Sequence, residues 1–387
     1  MKPAQRAQNL PPLFFAALGK RVAELRAQGI DVITLDAGSP DLPPDPRMIE
    51  ALKRGADDPT QHGYGGYAGQ PYLRRAIIDY YGRRFGVELD NRELLPLLGS
   101  KEGLANIHLA WLDPGDLSLV PDPGYSSYLY APLLAGGRVE TFDLLPERGW
   151  LPNLADIPTA SAKAARMLWL NYPNNPTGAV ATLEFFTEAV DFCRQFDILL
   201  CHDAPYSDLT YDGYIAPSVL QIPEAKTIAI EFNSLSKTYS LAGWRVGMAV
   251  GWEVAIEALA AIKTQIDSGL AKPIQMMAAD ALTGDQSWLE PRNAIYQARR
   301  DLCLATFRRL GLETAYPKGG IYIWFRNPPG YSSMDFHTRL LEEAHVALTP
   351  GSIYGRNGEG WTRLSLIGDT ARLETALTRI ERMMNNK

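Results

Sequence analysis

Thr227-Ile228-Ala229-Ile230-Glu231-Phe232 runs into Asn233-Ser234-Leu235-Ser236-Lys237, and Arg245 follows eight residues after the lysine. The first six residues have the length and largely apolar character of a strand buried on both faces. A lysine held just past such a strand can lose its proton and condense with an aldehyde. The hydroxyls and the guanidinium beside it offer a seat for a phosphate. Taken alone, Ser-x-Ser-Lys reads as a solvated turn, so three further segments decide the matter. Asn171-Tyr172-Pro173-Asn174-Asn175-Pro176-Thr177-Gly178 follows the apolar run Met167-Leu168-Trp169-Leu170. Cys201-His202-Asp203-Ala204-Pro205-Tyr206 follows Ile198-Leu199-Leu200, and Trp361-Thr362-Arg363-Leu364-Ser365-Leu366 lies near the C-terminus. The first two polar clusters stand at strand ends, where open α/β sheets place their ligands.

Similar short apolar runs recur at Leu94–Leu98, Leu117–Val120, Val139–Leu144 and Val246–Val250. All of them predict strands covered on both faces. Helix patterns lie between and after them, as at Ser100–Leu112 and at Leu183–Phe196, where Leu183, Phe186, Val190 and Cys193 are spaced to share a face. This alternation implies a mostly parallel sheet layered by helices. An amphipathic helix is expected over Leu13–Gln28, with Leu18, Val22 and Leu25 on one face and Gly29 as its stop. Further helices are expected over Glu290–Leu310, Asp335–His345 and Asp369–Met384, around short strands at Tyr322–Phe325 and Arg363–Leu366.

A chain of 387 residues exceeds the size at which one core keeps growing, so two domains are expected. With 46% hydrophobic and 21% charged residues the chain reads as an ordinary globular protein. The net charge of -6 and the lack of a basic stretch give no support for nucleic-acid binding. Cys193, Cys201 and Cys303 are odd in number and widely spaced, which argues for reduced thiols. No apolar run approaches a membrane span or the core of a signal peptide, so the cytoplasm is the expected compartment. No metal site is expected.

With these motifs in their order and spacing, the chain from about Leu35 to about Ser365 resembles the class I/II aminotransferases of the aspartate aminotransferase fold. His62-Gly63-Tyr64, Leu98-Gly99-Ser100-Lys101-Glu102-Gly103, Pro121-Asp122-Pro123-Gly124-Tyr125 and Ser234 to Trp244 look most like LL-diaminopimelate aminotransferases. The resemblance implies an α/β fold, the type I fold of pyridoxal-phosphate-dependent transferases, with a mostly parallel seven-stranded sheet containing one antiparallel strand. It also implies a large cofactor-binding domain over residues 47–285 and a smaller α+β domain from 1–46, with an N-terminal arm, and 286–387.

The cofactor implied is pyridoxal 5'-phosphate, whose ring holds the electron pair released when the substrate Cα loses its proton. Lys237 would carry it and move the proton between Cα and the cofactor, since the freed amine stays within reach of both atoms. Asp203 would keep the ring nitrogen protonated by Coulomb attraction. Tyr206 and Asn175 would hydrogen-bond the phenolic oxygen of the ring, and Tyr125 would cover one ring face. The phosphate is expected where Gly99, Ser100 and Lys101 open a helix, with Ser234, Ser236 and the forked guanidinium of Arg245 completing its seat. Arg363 matches the family arginine that grips the substrate α-carboxylate, and Gly38 would let backbone approach that carboxylate closely. Tyr64 matches a tyrosine that reaches the phosphate of the neighbouring subunit, which implies a homodimer with shared sites.

The expected activity is exchange of an amino group between an amino acid and a 2-oxo acid in two half-reactions. LL-diaminopimelate with 2-oxoglutarate is one substrate pair; aspartate, alanine and aromatic amino acids are alternative donors. A β-lyase on the same scaffold would use the same lysine, arginine and cofactor. His202 adjoins Asp203 and is a candidate to modulate its hydrogen bonding, and Asp267 and Lys272 are candidates to read a distal substrate charge.

Overall fold

The computed structural model describes residues 1–8, 10 and 14–386. Its strands are β1 (Ile33–Thr34), β2 (Leu94–Leu97), β3 (Leu117–Asp122), β4 (Arg138–Asp143), β5 (Ala165–Asn171), β6 (Leu199–Asp203), β7 (Ala229–Ser234), β8 (Gly247–Gly251), β9 (Tyr322–Arg326), β10 (Val346–Ala347), β11 (Thr349–Pro350) and β12 (Trp361–Ser365). Seven of them form one sheet in the order β2-β8-β7-β6-β5-β3-β4. The pairings β4/β3, β3/β5, β5/β6 and β6/β7 are parallel, whereas β8 is antiparallel to both its neighbours.

Alternating side chains of the central strands feed two separate cores. Met167 and Trp169 of β5, Leu199 and Cys201 of β6, and Ile230 and Phe232 of β7 pack on one face of the sheet. Leu168, Leu170, Leu200 and Ala229 pack on the other. A strand with both faces buried needs apolar residues at every position, which explains the unbroken runs in the sequence. The run Val139–Leu144 is the exception: β4 is an edge strand, pairs only with β3, and is largely exposed apart from Phe142.

A three-stranded antiparallel sheet, β11-β12-β9, and the parallel pair β1/β10 surround a further core that includes Ile323, Phe325, Phe336, Leu340 and Leu364. The N-terminal helix Phe14–Ala27 buries Leu18, Val22 and Leu25 as expected; Leu13 lies outside the described residues. In the helix Leu183–Phe196, Phe185 and Ala189 join the buried face, while Leu183 itself is exposed. The helix expected to reach His345 ends at Glu342, because His345 adopts a left-handed φ of 54° and the chain then enters β10 to pair with β1.

Parallel strands bring their C-terminal ends to one edge, so β5 and β6 deliver Asn171 and Asp203 side by side, and β7 carries Ser234 two residues beyond Phe232, the partner of Asp203. The helix Ser100–Trp111 starts against β8 there. A Cβ at Gly247 would sit 2.5 Å from the Ser100 nitrogen and 2.8 Å from the Gly99 carbonyl carbon, both backbone atoms that cannot swing aside. Gly247→Ala therefore has to push the helix start off the sheet. Urea denaturation should show a loss of about 1–3 kcal/mol, and an unchanged midpoint would mean that this approach is not tight in solution.

Candidate active site

The edge where β5, β6 and β7 end opens into a cavity of ≈ 480 Å³, closed on the other side by β9, β12 and the segment Asp36–Ser39. Asp203, Tyr206, Asn175, Lys237, Arg245 and Arg363 all line it, although they are spread over nearly two hundred positions of sequence. Gly38, Ser100, Lys101, Tyr125, Ser234 and Ser236 line it too.

Lys237 sits on the one-turn helix Leu235–Thr238 that directly follows β7. Its Nζ donates to the Gly38 carbonyl. Burial, followed by the positive charges of Arg363 and Arg245, lowers its pKa to about 8, while Asp203 pulls the other way. This lysine thus gives up its proton far more readily than a solvated one.

Asp203 ends β6, 4% exposed. The Tyr128 hydroxyl donates to its Oδ2 at 2.5 Å, and its buried Oδ1 has no partner. Burial raises its pKa to about 6, opposed first by the Tyr128 hydrogen bond. Tyr128 is itself held firmly. Its ring stacks on Trp169 at 5.2 Å, the Trp169 Nε1–H donates to His108 Nε2 at 3.0 Å, and His108 Nδ1 donates to the Leu104 carbonyl at 2.6 Å. Burial lowers the His108 pKa to about 4, which keeps the ring neutral with one nitrogen free to accept. His202, the candidate to modulate the hydrogen bonding of Asp203, shares no hydrogen bond with it. The pleat turns His202 to the opposite face, where Nδ1 meets Glu231 Oε2 at 2.9 Å and Nε2 meets the Tyr172 carbonyl at 3.2 Å.

Two ends of the cavity differ in character. At one, Gly99 caps the helix Ser100–Trp111 with a left-handed φ of 79°, leaving the first backbone N–H groups free. Ser234 caps the next short helix, its Oγ accepting from the Ser236 nitrogen at 3.2 Å. Arg245 lies against Gly99, with Nη1 donating to the Ala242 carbonyl at 2.7 Å. Free N–H groups, hydroxyls and a guanidinium together form a seat for a multiply charged anion. Lys101 is exposed, with its ammonium 5.8 Å from the centre of the Tyr125 ring.

At the other end, Arg363 is 3% exposed. Its Nη1 donates to Asn175 Oδ1 at 3.0 Å and its Nη2 to the Asp36 carbonyl at 2.6 Å, while Nε has no partner. The guanidinium lies between the rings of Tyr322, 4.1 Å away, and Tyr354, 5.1 Å away. Tyr206 and Tyr322 exchange a hydroxyl hydrogen bond at 3.0 Å. Burial first, then the Tyr322 hydroxyl, pushes the Tyr206 pKa well up, so its proton stays on and available for donation.

Tyr64 is 86% exposed and does not line this cavity. Asp267 and Lys272 are also absent from it. Asp267 is committed to the buried Lys263 at 2.6 Å and to the Gly269 N–H at 2.7 Å, and the Lys272 ammonium lies 3.4 Å from the Thr60 carbonyl. Sequence reading missed Tyr128, Tyr322, Tyr354 and Asn171. Two of these carried a usable signal: Tyr128 lies three positions after Tyr125 at the start of the helix Ser126–Leu134, and Asn171 ends the apolar run of β5. Among the described residues no group of His, Cys, Asp and Glu could hold a metal ion, and no helix is long and apolar enough to cross a membrane.

Comparison with known proteins agrees with this arrangement. The family model for class I and II aminotransferases matches residues 30–380. The chain is 46% identical to an LL-diaminopimelate aminotransferase of Moorella thermoacetica, over 99% of each chain. It is 44% identical to LL-diaminopimelate aminotransferase 2 of a Nostoc species, over 98% of each. Among solved structures it is similar to substrate-bound BacF from Bacillus subtilis, with a TM-score of 0.95 and 34% identity over 99% of this chain and 98% of that one. It is also similar to the aspartate aminotransferase of Thermus thermophilus with maleate, with a TM-score of 0.93 and 31% identity over 99% of this chain and 100% of that one. A buried carboxylate, a lysine of lowered pKa and a buried arginine share one cavity, and the family model spans nearly the whole chain: the protein belongs to the class I and II aminotransferases.

Proposed function

We propose that this aminotransferase uses pyridoxal 5'-phosphate and takes LL-diaminopimelate as its amino donor and 2-oxoglutarate as its acceptor. The observation that carries the donor assignment is full-length identity of 44–46% to relatives named for that substrate. The cavity fits the cofactor. The orphaned Asp203 Oδ1 offers an acceptor for a ring N–H, and Ser100, Ser234, Ser236 and Arg245 gather the hydroxyls and positive charge that suit a phosphate.

When bound, the cofactor supplies an electron sink for the pair left on the substrate Cα. The chain's residues do the rest. Asp203, ionised, holds a proton on the ring nitrogen. Tyr206 and Asn175 donate to the ring oxygen, and Tyr125 covers a ring face. Gly99 and Lys101 contribute backbone at the phosphate end. Arg363 binds the α-carboxylate beside the Gly38 backbone, which orients the Cα–H bond toward the Lys237 amine. That amine, half neutral near pH 8, would take the proton from Cα and return it to the cofactor carbon two atoms away.

We propose a homodimer in which the exposed Tyr64 completes the phosphate seat of the neighbouring subunit, and a cytoplasmic location in keeping with three free, buried cysteines. The division into 47–285 and 1–46 with 286–387 is supported by the sheets. All strands of the seven-stranded sheet fall in the first part, and all the others in the second.

Amino donors assayed with 2-oxoglutarate should rank LL-diaminopimelate at least roughly tenfold above aspartate, alanine and aromatic amino acids in kcat/KM, or about 1.4 kcal/mol in transition-state binding. A reversed ranking overturns the donor assignment, and repeated turnover to oxo acid and ammonia without an acceptor would indicate elimination instead. In cofactor-free protein, acetylation of Lys237 followed by peptide mass spectrometry should rise to half its maximum near pH 8, while exposed lysines do so near about 10.4. Labelling of Lys237 in step with surface lysines would contradict the role given to its amine.

A further inference from the structure

Among the described residues, three buried polar atoms without a hydrogen-bond partner belong to side chains lining the cavity: Asp203 Oδ1, Arg363 Nε and the Tyr354 hydroxyl. The first two are accounted for by the cofactor ring and the substrate carboxylate. The third has no role in the reaction as derived above. A buried hydroxyl left unpaired is costly, and native structures keep such groups rarely and for a reason.

The position of Tyr354 is fixed from several sides. Its ring, 3% exposed, lies 5.1 Å from the Arg363 guanidinium carbon and meets the Trp324 ring edge-on at 5.9 Å. Its carbonyl accepts from the Gly124 N–H at 2.8 Å, which ties it to the segment carrying Tyr125. The next residues are clamped by Asp122 at the end of β3, whose carboxylate accepts from the Arg356 N–H at 3.1 Å and the Asn357 N–H at 2.9 Å. Gly355 between them has a φ of 134°, and a Cβ there would strike the Asp122 carboxylate. A side chain held this firmly keeps its hydroxyl in one place. Its polar neighbour is the Thr349 hydroxyl, whose proton is committed to the Asp36 carbonyl at 3.3 Å and which accepts from Arg363 Nη2 at 3.5 Å, so the Tyr354 hydroxyl's own proton is left for a further acceptor.

We propose that Tyr354 is a further substrate-binding residue, whose hydroxyl donates a hydrogen bond to the carboxylate that Arg363 holds. A carboxylate offers about four acceptor sites, and a guanidinium fork fills two, so a second donor beside the arginine is accommodated without competition. Both the amino acid and the 2-oxo acid carry this carboxylate, so the contact serves both half-reactions. The inference rests on the reading of Arg363 given above.

The test is the Tyr354→Phe holoenzyme, which keeps the ring and its packing. Calorimetric binding of glutarate, an unreactive carboxylate, should weaken roughly tenfold, as for loss of a hydrogen bond to a charged group. The KM values for amino donor and 2-oxo acid should rise by a similar factor, while kcat changes less than about twofold. The thermal midpoint should change little, because the neighbouring Thr349 hydroxyl keeps its bonds to the Asp36 carbonyl and to Arg363. Unchanged glutarate binding, with or without a fall in the thermal midpoint, overturns the proposal and makes the hydroxyl structural. Arg363→Gln separates the two levels. If it weakens glutarate binding and Tyr354→Phe does not, only the tyrosine contact falls; if neither does, the carboxylate site at Arg363 falls with it.

Discussion

A carboxylate at the end of β6, 4% exposed and satisfied on one oxygen only, sets the terms for the rest of the site. Burial alone would favour its neutral form, and its raised pKa near 6 records that pressure. The Tyr128 hydrogen bond and the nearby positive charges oppose it. A carboxylate poised in this way serves as a counter-charge for a cation brought into the cavity. The aromatic pile behind it has a matching purpose. Tyr128, Trp169 and the neutral His108 form a chain in which each member's polar atom is used, so the hydroxyl that faces Asp203 cannot turn away.

The other half of the machinery comes from a different sheet. Arg363 stands on β12, and the strands that carry it are separated in sequence from β5, β6 and β7 by the helix Leu289–Arg309 and its surroundings. Among the contacts that join the two sides, three lie at or beside the cavity. Arg363 bonds Asn175, Lys237 bonds the Gly38 carbonyl, and Asp122 grips the backbone after Tyr354. In the proposed reaction an amino acid would lie among these contacts, with its carboxylate at one sheet and its Cα near the lysine of the other. Holding both reacting groups in one frame accounts for much of the rate advantage of such a site.

Much of this was legible in the sequence, for physical reasons that differ by residue. Asp203, Ser234 and Lys237 could be read because each follows an apolar run whose end marks the ligand-binding edge of an α/β sheet. The helix Leu183–Phe196 was legible from its period, although its buried face is rotated toward Phe185. Tyr322 and Tyr354 were not legible, since an aromatic residue in an apolar stretch has the same pattern whether it fills a core or faces a substrate. The edge position of β4 depends on which strands pair, and β1 and β10 are too short to show any period. The direction of His202 follows from strand alternation: adjacent residues of β6 point to opposite faces, so His202 and Asp203 cannot share a partner.

The proposed reaction stands or falls with Lys237 as the anchor for pyridoxal 5'-phosphate. The direct measurement is borohydride reduction of the purified protein with the cofactor, followed by tryptic digestion and mass spectrometry. The reduced cofactor's added mass is expected on the peptide containing Lys237 and is expected to be missing from the Lys237→Ala variant. Added mass on a different lysine, or on none, would contradict it.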